Sequence, residues 1–457
     1  MTAPMAAASA RTQALLHAPL LPTLLKLAAP NVLGMLAATV TIAYDGWIVG
    51  RLGADALAGV ALVFPLAMLM QQMSGGGIGA ATTGAVARAL GGGRRDEAER
   101  MAVQALWVSG AFALFFSLLL GLGGRWVVGA FGGRGAALEQ ALAYGQVLFG
   151  GALTLWWANV LAGVARGCGQ MSLAAGAQLG MAVLHLGLCP LLVFGASGFG
   201  GLGVAGAAAS SLVCNTLGCL WLLHRLRHGR GPVQLRGGPW RPQADALRAL
   251  LRVGLPAMLS PVLSNASIIT ATRWIATLGT TALAGYGLAA RLEYIIVPIS
   301  FGFGSALTAM VATNLGAGQS RRALQATAAG SGLVLALTGC IGLAAALWPQ
   351  GWMGALTHDA AVVAFGARYL QVVGACYGLF GLGLTLFFAS QGAGRMFWPL
   401  VGSVSRLAVV ALGGWLAMRT WPGEPMALFA VVAAGFATFA GIIATAIAAG
   451  RWGQRTT

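Results

Sequence analysis

At 457 residues, 58% of them hydrophobic and only 8% charged, the chain is too apolar to bury its side chains in a water-soluble core. Its formal charge of +17 suggests a nucleic-acid partner. However, the Arg residues stand in short clusters between apolar runs, RRDEAER, HRLRHGRGPVQLRGGPWRPQ and QSRR, the pattern that orients helices in a membrane, and nucleic acid is excluded as a partner.

The apolar runs reach about 20 residues or more without strand-like alternation, which predicts an all-α polytopic membrane protein. In chain order, twelve spans are expected at 24–49, 56–82, 101–122, 137–163, 172–195, 201–224, 246–277, 283–310, 325–347, 360–385, 396–418 and 425–449. With residues 1–23 cytoplasmic, most of the 27 Lys and Arg fall on the cytoplasmic side, and so does the tail 450–457. No cleavable signal peptide is expected, because the first long apolar run lacks a small-residue cleavage site. An Arg-, Gly- and Pro-rich linker, 225–245, separates a six-helix bundle over 24–224 from another over 246–449. The six Cys lie mostly inside apolar runs without a CxxC pair or a His cluster, so they predict packing residues, and neither a metal nor a cofactor is expected. With no catalytic constellation or soluble domain in view, an enzyme is not expected either.

The two halves repeat. AAPNVLGML (28–36) aligns with GLPAMLSPV (254–262), and ADALAGVAL (54–62) with TTALAGYGL (280–288), both 226 residues on. One deletion later the offset is 225, where GIGAATTGAVARALGGG (77–93) aligns with GFGSALTAMVATNLGAG (302–318) and RGCGQM (166–171) with QGAGRM (391–396). Six spans per half give both halves the same orientation, a parallel repeat related by an axis along the membrane normal. GLGVAG (201–206) matches a dinucleotide-binding pattern, but with no preceding strand and 70 Gly in the chain it marks close helix packing.

Of ten acidic residues, Asp45 and Glu293 fall inside spans, with Glu139 at the very start of another. A charge at the bilayer centre costs roughly 2.5–3.5 kcal/mol on insertion scales, so each needs a reason. Asp45, in TIAYDGWIVGRLG, lies about 9 Å from Arg51 along a helix. It either pairs there, snorkels outward, or carries a proton. Glu293 and Arg406 are opposite charges in spans eight and eleven, candidates for a buried pair or a substrate cavity. Tyr44 is an interfacial aromatic or a π face for an organic cation. Asn159, Ser211 and Asn215 form a candidate polar network, Ser211 and Asn215 sharing one helix face, or they simply join helices. His185 lies well inside a span, whereas His224 is the last residue of another, and the ordinary imidazole pKa of about 6.5 suits His185 to proton transfer.

APNVLG, YDGWIVGRLGADALAG, ARGCGQ, CPLLVFG and AGYGLAARLEYIIVPISFGFGSA, in that order and duplicated, resemble the multidrug and toxic compound extrusion (MATE) family from about Leu20 to Gly450. The resemblance implies two bundles forming a V about a central cavity, in the bacterial inner membrane, and export of small organic, often cationic, compounds against inward H⁺ or Na⁺. It implies that Asp45 is the coupling carboxylate and that Pro30 bends its helix. The repeat maps Pro30 to Pro256 but Asp45 to Ala271, so the proline is shared and the acid is not. Relatives carry Asn and Asp four apart in the fifth helix, where this chain has His185 and Cys189. The expectation is therefore an Asp45–His185 coupling pair, with H⁺ favoured over Na⁺ because His and Cys are poor ligands for a hard ion. The expected protein is a monomer in contact with membrane lipid and a small-molecule substrate. A lipid-linked precursor flippase of the same superfamily remains the alternative. A facilitator-type transporter lacks support, since GGGRRDEAER does not carry that group's loop motif.

Overall fold

The computed structural model describes residues 11–196, 199–229, 231–235 and 240–450. Residues 1–10 of the expected N-terminal segment, 451–457 of the tail, and residues 230 and 236–239 of the linker lie outside that description. In the first half, α1 (Leu20–Gly50) and α2 (Ala54–Gln72) lead into a π-helical stretch, Met73–Gly79, that continues as α3 (Ala80–Gly91). Then come α4 (Arg95–Leu122), the short α5 (Gly124–Ala130), α6 (Gly135–Gly150), α7 (Ala152–Gly167), α8 (Met171–Phe194) and α9 (Val204–His228). The second half holds α10 (Ala244–Ala276), α11 (Thr280–Ala289), α12 (Glu293–Gly316), α13 (Ser320–Leu347), α14 (Pro349–Gly354), α15 (Ala360–Val373), α16 (Tyr377–Ala393), α17 (Phe397–Thr420) and α18 (Pro425–Ala448). Among the described residues the only strand pairing joins Gly195–Ala196 to Phe199–Gly200.

Among the described residues, eleven helices are long and apolar enough to cross a membrane, counting α2 with α3, α11 with α12 and α15 with α16 as one each, and α6 with α7, bent by 47° at Gly151, makes up to twelve. Each expected span thus has a helical counterpart. The helices keep Leu122 84%, Val183 70% and Leu412 68% exposed. Outward apolar faces of this kind suit lipid and not water, which is why the sequence is hydrophobic all round and not on one stripe.

The chain divides into two compact units, residues 1–18 with 33–258, and residues 19–32 with 259–457. The first packs around Trp156, Phe149 and Leu161, the second around Tyr369, Tyr377, Phe429 and Phe436. The division falls inside α1 and α10, two residues after Pro30 and two after Pro256. A proline lacks the N–H that closes a helical turn, so each helix is missing a backbone hydrogen bond close to the division.

The repeat extends to single hydrogen bonds. Thr83 donates to the carbonyls of Gly79 and Gly163, at 3.1 and 3.0 Å, and Thr308 to those of Gly304 and Phe388, at 3.0 and 2.9 Å. The turns after α7 and α16 both use a glycine at positive φ, Gly169 at 71° and Gly394 at 74°. Two residues earlier, Gly167 and Gly392 let helices touch, because a Cβ at 392 would stand 2.6 Å from the Thr308 carbonyl oxygen and one at 167 would stand 2.9 Å from that of Thr83. Gly392→Ala is expected to destabilise the protein by about 1–3 kcal/mol through this overpacking. Gly441→Ala, which meets nothing within 4 Å, should not. Melting of the two variants in detergent checks this.

Candidate functional site

The intramembrane acid and the intramembrane histidine meet inside the first unit. Asp45 lies near the C-terminal end of α1, and α8 presents His185 and Cys189 one turn apart on one face. Asp45 Oδ1 is 2.6 Å from His185 Nε2, and the Cys189 thiol donates to the same oxygen at 3.6 Å. His185 is 3% exposed and Cys189 0%, whereas the Asp45 side chain is 23% exposed, so the carboxylate is the open side of the cluster. Ile48, Val49, Val193 and Val204 pack around Cys189.

Two polar residues hold this arrangement. The fully buried Ser210 hydroxyl of α9 lies 3.0 Å from His185 Nδ1, which leaves Nε2 facing Asp45. Pro190 cannot donate to the carbonyl of Leu186, four residues before it, and the Tyr44 hydroxyl donates to that carbonyl at 3.0 Å instead. The residue preceding Asp45 is thereby fastened to the helix that carries His185. Arg51 turns away, its guanidinium over Trp47 at 5.2 Å and Phe194 at 5.5 Å, and makes no ion pair with Asp45 among the described residues.

The other sequence candidates lie elsewhere. Asn159 donates to Ser74 of the π-helical stretch at 2.8 Å and does not touch the Asp45 cluster. Ser211 and Asn215 stay half-buried on α9, and the buried neighbour of His185 is Ser210. Pro30 sits within α1 on the stretch that packs in the second unit. Tyr44 belongs to the first unit, whereas Glu293 and Arg406 line one cavity of the second with Ala271, Tyr286, Tyr369 and Val410. That cavity occupies the place in the repeat that the Asp45 cluster occupies in the first unit. Asp45 corresponds to Ala271, His185 to Val410, and Tyr144, a neighbour of Asp45, to Tyr369. Arg406 is buried there over Phe436 at 4.8 Å and Phe380 at 5.3 Å. One fold position therefore holds a carboxyl–imidazole pair in one unit and a cavity lined by a carboxyl and a guanidinium in the other.

Comparison with known proteins finds matches over most of the chain. The MatE family model matches twice, over residues 30–191 and 256–416, once in each half. A protein of Shewanella oneidensis named FAD transporter is 26% identical over 410 residues, covering 87% of this chain and 88% of its own. The probable multidrug resistance protein NorM of Deinococcus radiodurans is 28% identical over 408 residues, covering 85% and 86%. A solved structure described as MATE in the bent conformation shares the fold with a TM-score of 0.88 at 22% identity, over 96% of this chain and 98% of that one.

Proposed function

The chain belongs to the MatE family of multidrug efflux transporters, and from that premise we propose that it exports small organic compounds, cationic ones in particular, in exchange for inward H⁺. As a multi-pass member of a bacterial transporter family it resides in the plasma membrane, and we take it to act as a monomer with both termini cytoplasmic. One observation carries the coupling reading, the 2.6 Å contact between Asp45 and His185 in a site that the second unit does not duplicate.

The chemistry follows from charge. With one proton shared between Asp45 and His185 the pair is neutral, and without it the pair carries one negative charge in a low-dielectric setting. The unprotonated site attracts a cation and the protonated site releases it, which is the alternation an antiporter needs. The groups facing the pair are Tyr144 on α6, Cys189 on α8, and Ser210 and Cys214 on α9. Nitrogen and sulfur replace oxygens in this cluster, which favours H⁺ over the Na⁺-coupled alternative and its cage of hard ligands. A flavin dinucleotide is the second reading of the cargo, supported by the name of the Shewanella relative. A lipid-linked precursor flippase finds less support, since Arg406 is committed to an aromatic stack.

Transport in proteoliposomes under an imposed ΔpH or ΔNa⁺ tests this, with an organic cation and FAD as cargo. Wild type is expected to move the cation under ΔpH alone, and Asp45→Asn should fall to the level of empty liposomes. Full uptake by Asp45→Asn would defeat the coupling reading, and uptake driven by ΔNa⁺ alone would change the ion.

A further inference from the structure

We infer that Asp45, His185 and Cys189 form a site for a borderline divalent metal ion, with Zn²⁺ as its probe, at the place where the proposed function puts a proton. The ligand atoms of the three residues lie within 4.8 Å of one another. A tetrahedral Zn²⁺ holds its ligands about 2.0–2.3 Å away and hence roughly 3.5 Å from each other. The Cys189–Asp45 separation of 3.6 Å already fits, and the Asp45–His185 contact of 2.6 Å opens by about 1 Å to admit the ion.

The donor set selects the metal. One imidazole nitrogen, one thiolate sulfur and one carboxylate oxygen suit Zn²⁺ and its neighbours, and discriminate against Na⁺, Mg²⁺ and Ca²⁺. His185 and Cys189 stand one turn apart on α8, the spacing that directs two ligands to one ion. The Ser210 hydroxyl at 3.0 Å occupies Nδ1 and orients Nε2, the role that outer partners play for metal-bound histidines. Charge closes the argument. The carboxylate and thiolate each bring one negative charge, the imidazole is neutral, and a divalent ion brings the total to zero. The thiol proton leaves to solution as the metal binds. Asp45, the exposed member, meets the ion first, and a fourth position is left for water. A metal bound here displaces the shared proton, so the ion arrests exchange.

The experiment uses purified full-length protein, stripped with a chelator and equilibrated with Zn²⁺ or with Co²⁺ as a spectroscopic substitute. Wild type is expected to hold about one ion per chain and to show a thiolate-to-cobalt charge-transfer band. Cys189→Ala should lose both, with Cys189→Ser as the second variant if the first does not fold. Cys340→Ser, at an exposed cysteine, should lose neither. Ser210→Ala is expected to keep the band and weaken the affinity roughly tenfold. Absence of the band in wild type, or Zn²⁺ retained at wild-type affinity by Cys189→Ala, overturns the site.

A second arm rests on the proposed function, in which Zn²⁺ is expected to stop ΔpH-driven uptake by wild type. Metal binding without arrest overturns the shared occupancy. Uptake that requires Asp45 in a protein that binds no metal overturns the metal site alone and leaves proton coupling standing.

Discussion

His185→Asn is expected to reduce ΔpH-driven export to background, and adding Cys189→Asp to it is expected to bring export back. The asparagine amide keeps a donor toward Asp45 and suits the space between Asp45 and Ser210, so folding is spared. What disappears is the basic nitrogen now 2.6 Å from the carboxylate. The amide that replaces it can neither take up nor release a proton at neutral pH. The thiol of Cys189 lies 3.6 Å from Asp45, so an aspartate at 189 places a second carboxyl within reach of the first. Two carboxyls that close cannot both ionise readily, and they share one proton as the carboxylate–imidazole pair does. The double variant also has the Asn and Asp that the family resemblance implies for this helix. Proteoliposome uptake measured for wild type, single and double variants decides the matter. Wild-type uptake by His185→Asn would leave Asp45 as sole proton carrier, and failure of the double variant to recover would mean that His185 does more than hold a proton.

The parts of this site that could be read in the sequence are those that break the membrane's apolar rule. Asp45, His185, Glu293 and Arg406 stand out because a charge or an imidazole in a span needs a reason, and the repeat showed which half lacks the acid. Ser210 did not stand out. In a soluble helix the apolar stripe tells which face is inside, but here the lipid-facing and core-facing residues are both apolar, so Ser210 and Ser211 read alike. The polar spacing of Ser211 and Asn215 pointed to one face of α9, whereas packing buries Ser210 on another. Tyr44 read as an interfacial aromatic, although Pro190 leaves a carbonyl on α8 that its hydroxyl fills. The signal was present, a proline in a span with an aromatic hydroxyl on another helix, but pairing them requires knowing which helices touch. The linker 225–245 marks where the sequence repeats, while the compact units divide within α1 and α10. That division depends on what each helical turn packs against, which hydropathy does not record.

The second unit invites the larger stability test. Arg406→Met is expected to destabilise the protein by about 1–3 kcal/mol, because Glu293 loses the positive group that shares its cavity and the aromatic rings lose the guanidinium. Glu293→Gln should cost less, since the guanidinium keeps its contacts with Phe436 and Phe380, worth about 0.5–2 kcal/mol. The double variant Glu293→Gln with Arg406→Met should melt closer to wild type than Arg406→Met alone, because neither charge is stranded. Melting midpoints of the four proteins in one detergent measure this coupling directly, and strictly additive shifts would show that the two charges do not sense each other. A coupled pair has a consequence for transport. Opposite charges that sense each other across one cavity compensate, so the second unit then has no need to take up an ion as the transporter cycles. The exchangeable charge is then confined to Asp45 and His185, and export by the double variant should still depend on ΔpH and still be lost when Asp45→Asn is added.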